Sequence, residues 1–219
     1  GLDSWPIMAI PLFMLAGSLM DQGGMSKRIV DFSSALLGFV KGSLALIDVL
    51  ASMAFAGVSG SPTADTAAIG SVMIPEMEEA GYDRAFSTAV TISSSPLATI
   101  IPPSIVMVLY SWMTGVPVSE VFVAGFVPGA LMGLGLMVVA YVISKKNGYG
   151  HKRRFSIRST ARSFVESLPA LIMPLIILGG IFGGIFTATE AGAVAAIYGL
   201  FAGLVIYKEI KLSDLPKIF

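Results

Sequence analysis

The sequence has 219 residues, of which 55% are hydrophobic and 13% are charged, and its mean hydropathy is +0.83. Soluble domains carry about 25% charged residues, so a soluble fold would leave too much apolar surface in water. Lys plus Arg and Asp plus Glu number 14 each, without a basic stripe to bind nucleic acid. Cysteine is absent, which excludes disulfides and thiolate chemistry. Together these features predict an all-α, polytopic integral membrane protein without a nucleic-acid partner.

Eight apolar stretches follow one another along the chain. A transmembrane helix needs about 20 apolar residues, so only the last three qualify by length alone. The eight stretches cover residues 5–20, 44–57, 64–74, 86–101, 105–113, 121–143, 168–186 and 191–207.

The second and third stretches are each too short to cross a bilayer. They are joined by Val58-Ser59-Gly60-Ser61-Pro62, an uncharged, helix-breaking turn. We therefore predict a re-entrant hairpin over about 42–75, whose tip lies within the membrane.

The fourth and fifth stretches are joined by Ile101-Pro102-Pro103-Ser104. Two prolines remove backbone donors and block helical hydrogen bonds, so residues 85–114 are predicted to form one discontinuous span. Unpaired backbone in lipid costs several kcal/mol per group unless protein, ions or water satisfy it. Both breaks are therefore predicted to be functional.

The basic residues indicate a topology. If the first stretch starts outside and the hairpin enters and leaves on one side, all fourteen Lys and Arg residues fall inside, as the positive-inside rule requires. Counting the hairpin as a full crossing would separate Arg84 from Lys41. This arrangement divides the chain into a first membrane bundle (1–144), a basic cytoplasmic linker (145–167) and the start of a second half (168–219).

The predicted hairpin tip concentrates polar groups. Ser59, Gly60, Ser61, Thr63 and Asp65 lie at or just after the turn, where hydroxyls and free carbonyls are hard ligands for an alkali cation. The following helix would also direct its positive end at an anionic substrate. Simple N-capping by Ser61 or Thr63 is the alternative. Asp65 could bind a cation or accept a capping amide, and the sequence leaves both open.

A second polar stretch follows closely. Ser95 precedes Pro96, and Ser104 follows Pro102-Pro103. Paired discontinuous helices form the midplane site of many secondary transporters, so Ser61, Thr63, Asp65, Ser95 and Ser104 are candidate substrate contacts. The alternative is hydroxyls bonding back to their own helix beside prolines that merely kink it.

Two further acidic groups and one motif remain. Asp48 lies in the first hairpin arm. Glu190 is either a functional carboxylate or the capping residue of the helix expected near Ala191. The pattern Gly57-Val58-Ser59-Gly60 also occurs in rhomboid-type intramembrane serine proteases, whose serine needs a histidine base. Since His151, the only histidine, lies in the basic loop, we expect no enzyme activity.

The sequence resembles the large membrane subunit of TRAP transporters (DctM-like permeases). The resemblance spans nearly the whole chain in the expected order. It is carried by Ile10-Pro11-Leu12-Phe13, Ser59-Gly60-Ser61, Ile74-Pro75-Glu76-Met77, Ile101-Pro102-Pro103-Ser104, Pro128-Gly129 and Phe186-Thr187-Ala188-Thr189-Glu190-Ala191.

This resemblance implies a sodium-driven, tripartite importer of organic acids such as C4-dicarboxylates or sialic acid, with an elevator-type mechanism. It implies a small membrane subunit and a periplasmic substrate-binding protein as partners, in the bacterial inner membrane. It also implies that Na⁺ is the coupling ion, held at Ser59, Gly60 and Ser61 and at Ile101, Pro102 and Pro103. A binding-protein-independent sodium/dicarboxylate or citrate symporter is the nearest alternative.

The chain lacks the second hairpin and second broken helix that such subunits contain, and the helix expected before Trp5. We therefore expect that this fragment does not transport by itself.

Overall fold

The computed structural model describes residues 5–149 and 156–211, which are helical with short connections and contain no strand. Nine α-helices occur in this part of the chain. They are α1 (Trp5–Gln22), α2 (Met25–Leu37), α3 (Ser43–Ser59), α4 (Pro62–Glu79), α5 (Arg84–Ser94), α6 (Ile105–Thr114), α7 (Val118–Lys146), α8 (Ile157–Phe182) and α9 (Ala188–Phe201). A 3-10 turn (Ser95–Thr99) follows α5, and a π turn (Ala202–Ile206) continues α9.

Three of these helices are long and apolar enough to cross a membrane: α7, α8, and α9 with its π extension. They correspond to the three stretches that the sequence identified by length, so the all-helical class is confirmed and agrees with a membrane protein. Shorter apolar helices include α3 and α6. The membrane placement of α3 and α4 stays a prediction.

Helix α3 is the centre of the fold. It packs against α1, α2, α4, α5, α7 and α8, and only a few of its residues reach the surface. Its largest buried side chain is Phe55. Because α3 ends at Ser59, this packing fixes the position of the turn that follows it.

Helix α2 was missed by hydropathy alone because it is amphipathic and carries Lys27 and Arg28. Its buried residues Met25, Ile29 and Val30 recur at helical spacing and pack it against α3 and α8. The sequence signal was therefore present, but as the periodicity of a few apolar residues among polar and charged ones.

Helices extend into both ends of the stretch 145–167 that was predicted as a basic linker. Helix α7 continues through Lys146, and α8 begins at Ile157, so the connection between helices is 147–156. Arg158 and Arg162 therefore lie on α8, where Arg162 pairs with Glu166 at 2.8 Å. Several basic residues of the linker, and His151, lie outside the described residues.

Glu190 has the capping role that the sequence left open. Its carboxylate accepts a 2.8 Å bond from the Thr187 amide, and the Thr187 hydroxyl accepts a 3.3 Å bond from the Glu190 amide. This reciprocal pair is a capping box, and it starts α9 at Ala188.

Candidate ion and substrate site

The turn between α3 and α4 is built by local backbone chemistry. Gly60 has φ +58°, the left-handed conformation that commonly ends helices, and its amide donates to the Ala56 carbonyl at 3.0 Å. Pro62 then starts α4, because its fixed φ suits the first helical position. Only Gly60 and Ser61 therefore separate the two helices.

Hydroxyl groups cluster at this turn. The Ser61 amide donates to the buried Ser59 hydroxyl at 3.4 Å, and the Ser61 and Thr63 hydroxyls are 3.0 Å apart. Ser61 occupies the N-cap position of α4, yet its hydroxyl makes no capping bond. Capping therefore does not explain the Ser61 side chain.

A pocket of about 290 Å³ opens beside the turn. Helix α1 forms the opposite wall, where Gly17 allows close approach: a Cβ atom there would lie 3.4 Å from the Ser59 Cα. The pocket is lined by Met14, Gly17, Ser18, Ser59, Ser61, Thr63 and Ala64.

The predicted helix break is present. After α5, the chain passes through the 3-10 turn and an irregular segment, 100–104, before α6 begins. The Pro102–Pro103 peptide bond is cis. Among the described residues, no hydrogen bond is donated to the carbonyls of Ile101, Pro102 or Pro103. Three backbone oxygens of the break are therefore without donors.

The turn and the break meet. A Cβ atom on Gly60 would lie 2.9 Å from the Pro103 oxygen, and one on Gly57 would lie 3.5 Å from the Pro102 oxygen. The Ile105 amide donates to the Gly60 carbonyl at 3.3 Å. The structure therefore brings together the two stretches that the sequence selected separately, and unpaired carbonyls and hydroxyls at one point suit a hard monovalent cation.

Helix α7 holds the break in place. A Cβ atom on Gly125 would contact the Ile100 oxygen, and one on Gly129 would lie 2.7 Å from Ile101 Cγ1. The small-residue spacing on this helix thus serves close helix packing.

The candidate substrate residues divide into two groups. Ser61 and Thr63 line the pocket. Ser95, Ser104 and Asp65 are buried: Ser95 donates to the Thr91 carbonyl at 2.8 Å, and Ser104 to the Thr99 carbonyl at 3.0 Å. Asp65 accepts no capping amide, because neither of its oxygens has a hydrogen-bond partner.

Sequence reasoning missed part of the buried polar cluster behind the turn. Asp48 accepts a 2.6 Å bond from Thr91. The single Ser94 proton faces three acceptors: the Ser52 hydroxyl at 3.0 Å, the Thr91 carbonyl at 3.0 Å and Asp48 at 3.4 Å. Asp48 and Ser52 are four residues apart on α3, so they share a helix face. That spacing was the available signal.

The fold is all-helical in its described part, with three helices long and apolar enough to cross a membrane. The whole chain, residues 1–219, matches the family model for the DctM component of tripartite ATP-independent periplasmic transporters, and the protein belongs to that family.

Curated relatives with similar sequences belong to the same family. The chain is 43% identical over 216 residues to the C4-dicarboxylate TRAP transporter large permease protein DctM of Pseudomonas aeruginosa, covering 99% of this chain and 51% of the relative. It is 38% identical over 218 residues to the sialic acid TRAP transporter large permease protein SiaM of Vibrio cholerae, covering 100% of this chain and 51% of the relative. It is 41% identical over 215 residues to the 2,3-diketo-L-gulonate TRAP transporter large permease protein YiaN of Escherichia coli, covering 98% of this chain and 51% of the relative.

The chain thus spans about half the length of these relatives. The relatives are named as permeases, and this gives no support to the binding-protein-independent symporter or the intramembrane protease. The Ser59 hydroxyl, which the protease would use, is bonded within the turn.

Proposed function

We propose that this chain is part of the permease of a sodium-driven importer of organic acids in the bacterial inner membrane. The permease works with a small membrane subunit and a periplasmic binding protein that delivers the substrate. The observation that supports this best is the contact between Gly60 and the unpaired Pro103 carbonyl.

Na⁺ binds where the turn meets the break. Its ligands come from Ser59, Gly60 and Ser61 on one side and from the Ile101, Pro102 and Pro103 carbonyls on the other. Hydroxyl and carbonyl oxygens are hard ligands that suit such a cation. The other half of the permease completes the coordination, because this chain spans about half of its relatives.

The substrate occupies the pocket beside the turn. Its carboxylate is held by the Ser61 and Thr63 hydroxyls near the N-terminus of α4, where the helix dipole favours an anion. The substrates for which these relatives are named, a C4-dicarboxylate, sialic acid and 2,3-diketo-L-gulonate, are acids whose carboxylate such a pocket can orient.

Transport moves α3–α6 as one body in an elevator-type motion, with α3–α4 as a re-entrant hairpin open to the cytoplasmic side. Two features support this proposal. The hairpin and the broken helix contact each other directly. The positive-inside rule also favours Lys41 and Arg84, at either end of the hairpin, lying on one side of the membrane.

Uptake of a radiolabelled organic acid by proteoliposomes tests the proposal. The vesicles contain the full-length permease and the small subunit, with the binding protein added outside. We expect uptake to require a Na⁺ gradient, and Ser61→Ala to lower the apparent affinity for Na⁺ or substrate. Ser71→Ala is the control, since Ser71 is an exposed serine on the same helix that only bonds back to Ala68. Uptake that is unchanged when K⁺ replaces Na⁺ would contradict the proposal.

A further inference from the structure

Two carboxylates are buried together behind the turn. Asp48 on α3 and Asp65 on α4 each have no exposed surface, and neither takes part in a salt bridge within residues 5–149 and 156–211. Burying a carboxylate without a compensating charge is costly. No described side chain supplies a positive charge to the pair, so either a proton or a bound cation must neutralise it.

The two carboxylates differ in their surroundings. One Asp48 oxygen accepts a 2.6 Å hydrogen bond from Thr91, and the other lies 3.4 Å from the Ser94 hydroxyl. The hydroxyls of Ser52 and Ser95 are the neighbouring groups able to donate to the Asp65 carboxylate, and Asp48 is the neighbouring charge. In this structure, however, neither Asp65 oxygen is within hydrogen-bond geometry of a donor. Asp65 is thus the unsatisfied member of the cluster.

The hydroxyl of Ser95 is already committed as a donor. Ser95 donates its proton to the Thr91 carbonyl at 2.8 Å. Its oxygen lies 2.8 Å from the Thr66 hydroxyl, whose single proton is shared between Ser95 and the Pro62 carbonyl at 2.9 Å. A hydroxyl has one proton and two lone pairs, so Ser95 presents an oxygen lone pair, not a proton, to its remaining neighbours. An oxygen acceptor beside an unpaired carboxylate favours a cation between them.

We propose that Asp65, with the hydroxyl oxygens of Ser52 and Ser95, binds a Na⁺ ion at a second site behind the hairpin turn. Asp48 adds negative charge to this site without using its own hydrogen-bonded oxygens. This inference rests on the proposed sodium coupling and adds a site to it, separate from the turn itself.

The ligand set selects the type of ion. No group of three or more His, Cys, Asp and Glu residues comes together in the described part of the chain, which disfavours a transition metal. One carboxylate with neutral hydroxyls suits a monovalent hard cation. Because the site bridges α3, α4 and the start of the 3-10 turn, its ion would hold the hairpin against the broken helix.

The test uses the full-length permease with its small subunit in detergent and in proteoliposomes. Thermal stability is measured as Na⁺ replaces choline, and uptake is measured over a Na⁺ titration. For Asp65→Asn we expect Na⁺-dependent stabilisation to weaken, with the apparent Na⁺ affinity falling by about tenfold or more and the Hill coefficient for Na⁺ decreasing. Stability in choline should rise, because a buried uncompensated charge has been removed.

Asp83→Asn is the matched control. Asp83 is exposed and caps α5 by accepting the Phe86 amide, a role that asparagine fills equally well. If Asp65→Asn does not fold, Ser95→Ala replaces it and is expected to weaken Na⁺ affinity in the same direction.

The outcomes separate the two proposals. Wild-type uptake without any Na⁺ dependence would overturn the proposed function itself. Normal Na⁺ dependence of the wild type, with the same affinity and Hill coefficient in Asp65→Asn, would overturn only the second site. Loss of pH dependence in Asp65→Asn with unchanged Na⁺ dependence would show that Asp65 carries a proton, and would also overturn the sodium assignment.

Discussion

The carbonyl oxygen of Pro103 lies 2.9 Å from the point that a Cβ atom would occupy on Gly60. Gly60 also has φ +58°, a conformation that disfavours any side chain. Two separate reasons, backbone conformation and contact with the broken helix, therefore require glycine here.

Gly60→Ala should destabilise the permease more than the backbone conformation alone explains. A left-handed non-glycine residue costs about 1–3 kcal/mol, and the contact with Pro103 adds to this cost. Gly81→Ala measures the backbone cost alone, because Gly81 has φ +85° and no atom near the Cβ position. Thermal unfolding in detergent compares the two variants, and equal melting temperatures would show that the Pro103 contact is unimportant.

The Thr91 hydroxyl stabilises the buried Asp48. Thr91→Val keeps the shape but removes the 2.6 Å hydrogen bond, so we expect a loss of about 1.5–3 kcal/mol in the free energy of unfolding. Thr88→Val is the control on the same helix, since the exposed Thr88 hydroxyl only bonds back to Arg84. Similar unfolding curves for both variants would contradict the assigned role of Thr91.

Gly125 should tolerate a methyl group poorly. Gly125→Ala would push α7 away from the Ile100 carbonyl, and overpacking of this kind costs about 1–3 kcal/mol. Gly135→Ala, on the same helix with open space at its Cβ position, should be almost neutral. The melting temperatures test this, and an equally stable Gly125→Ala would show that close packing of α7 does not hold the break.

The hairpin topology predicts which loops face each side. The 219 residues contain no cysteine, so single cysteines can be labelled in a full-length protein whose other cysteines have been removed. Lys41→Cys and Glu79→Cys, at the two ends of the hairpin, should react only from the cytoplasm. Thr114→Cys and Ile185→Cys should react with a membrane-impermeant maleimide from the periplasm. Labelling of Lys41→Cys and Glu79→Cys from opposite sides would show that the hairpin crosses the membrane.

The helical class and the two helix breaks were predictable from local sequence. Apolar length identified the three long spans, and the signals at Gly60-Ser61-Pro62 and Pro102-Pro103 act on their own backbone. The contact between these breaks was expected only as a general pattern of paired helices. Which atoms of the two breaks touch depends on how α3, α6 and α7 pack, and no local sequence pattern specifies that packing.

The buried cluster shows where sequence reasoning ended. Asp65 was recognised as an ionisable group in an apolar segment, but its lack of a hydrogen-bond partner depends on where Ser95 directs its proton. The Ser95 proton points to the Thr91 carbonyl on α5, and the Ser95 oxygen also contacts the Thr66 hydroxyl on α4. Helix α2 was missed for a different reason, because its apolar residues form one face and not a continuous run.

The central claim is that the hairpin turn and the broken helix form one Na⁺ site. Its most direct test is a Na⁺ titration of uptake by the full-length permease, with its small subunit and binding protein, comparing Gly60→Ala with Gly81→Ala. We expect Gly60→Ala to raise the Na⁺ concentration needed for half-maximal uptake, or to abolish uptake, while Gly81→Ala retains the wild-type value. The same Na⁺ dependence and uptake rate in Gly60→Ala and the wild type would contradict the account.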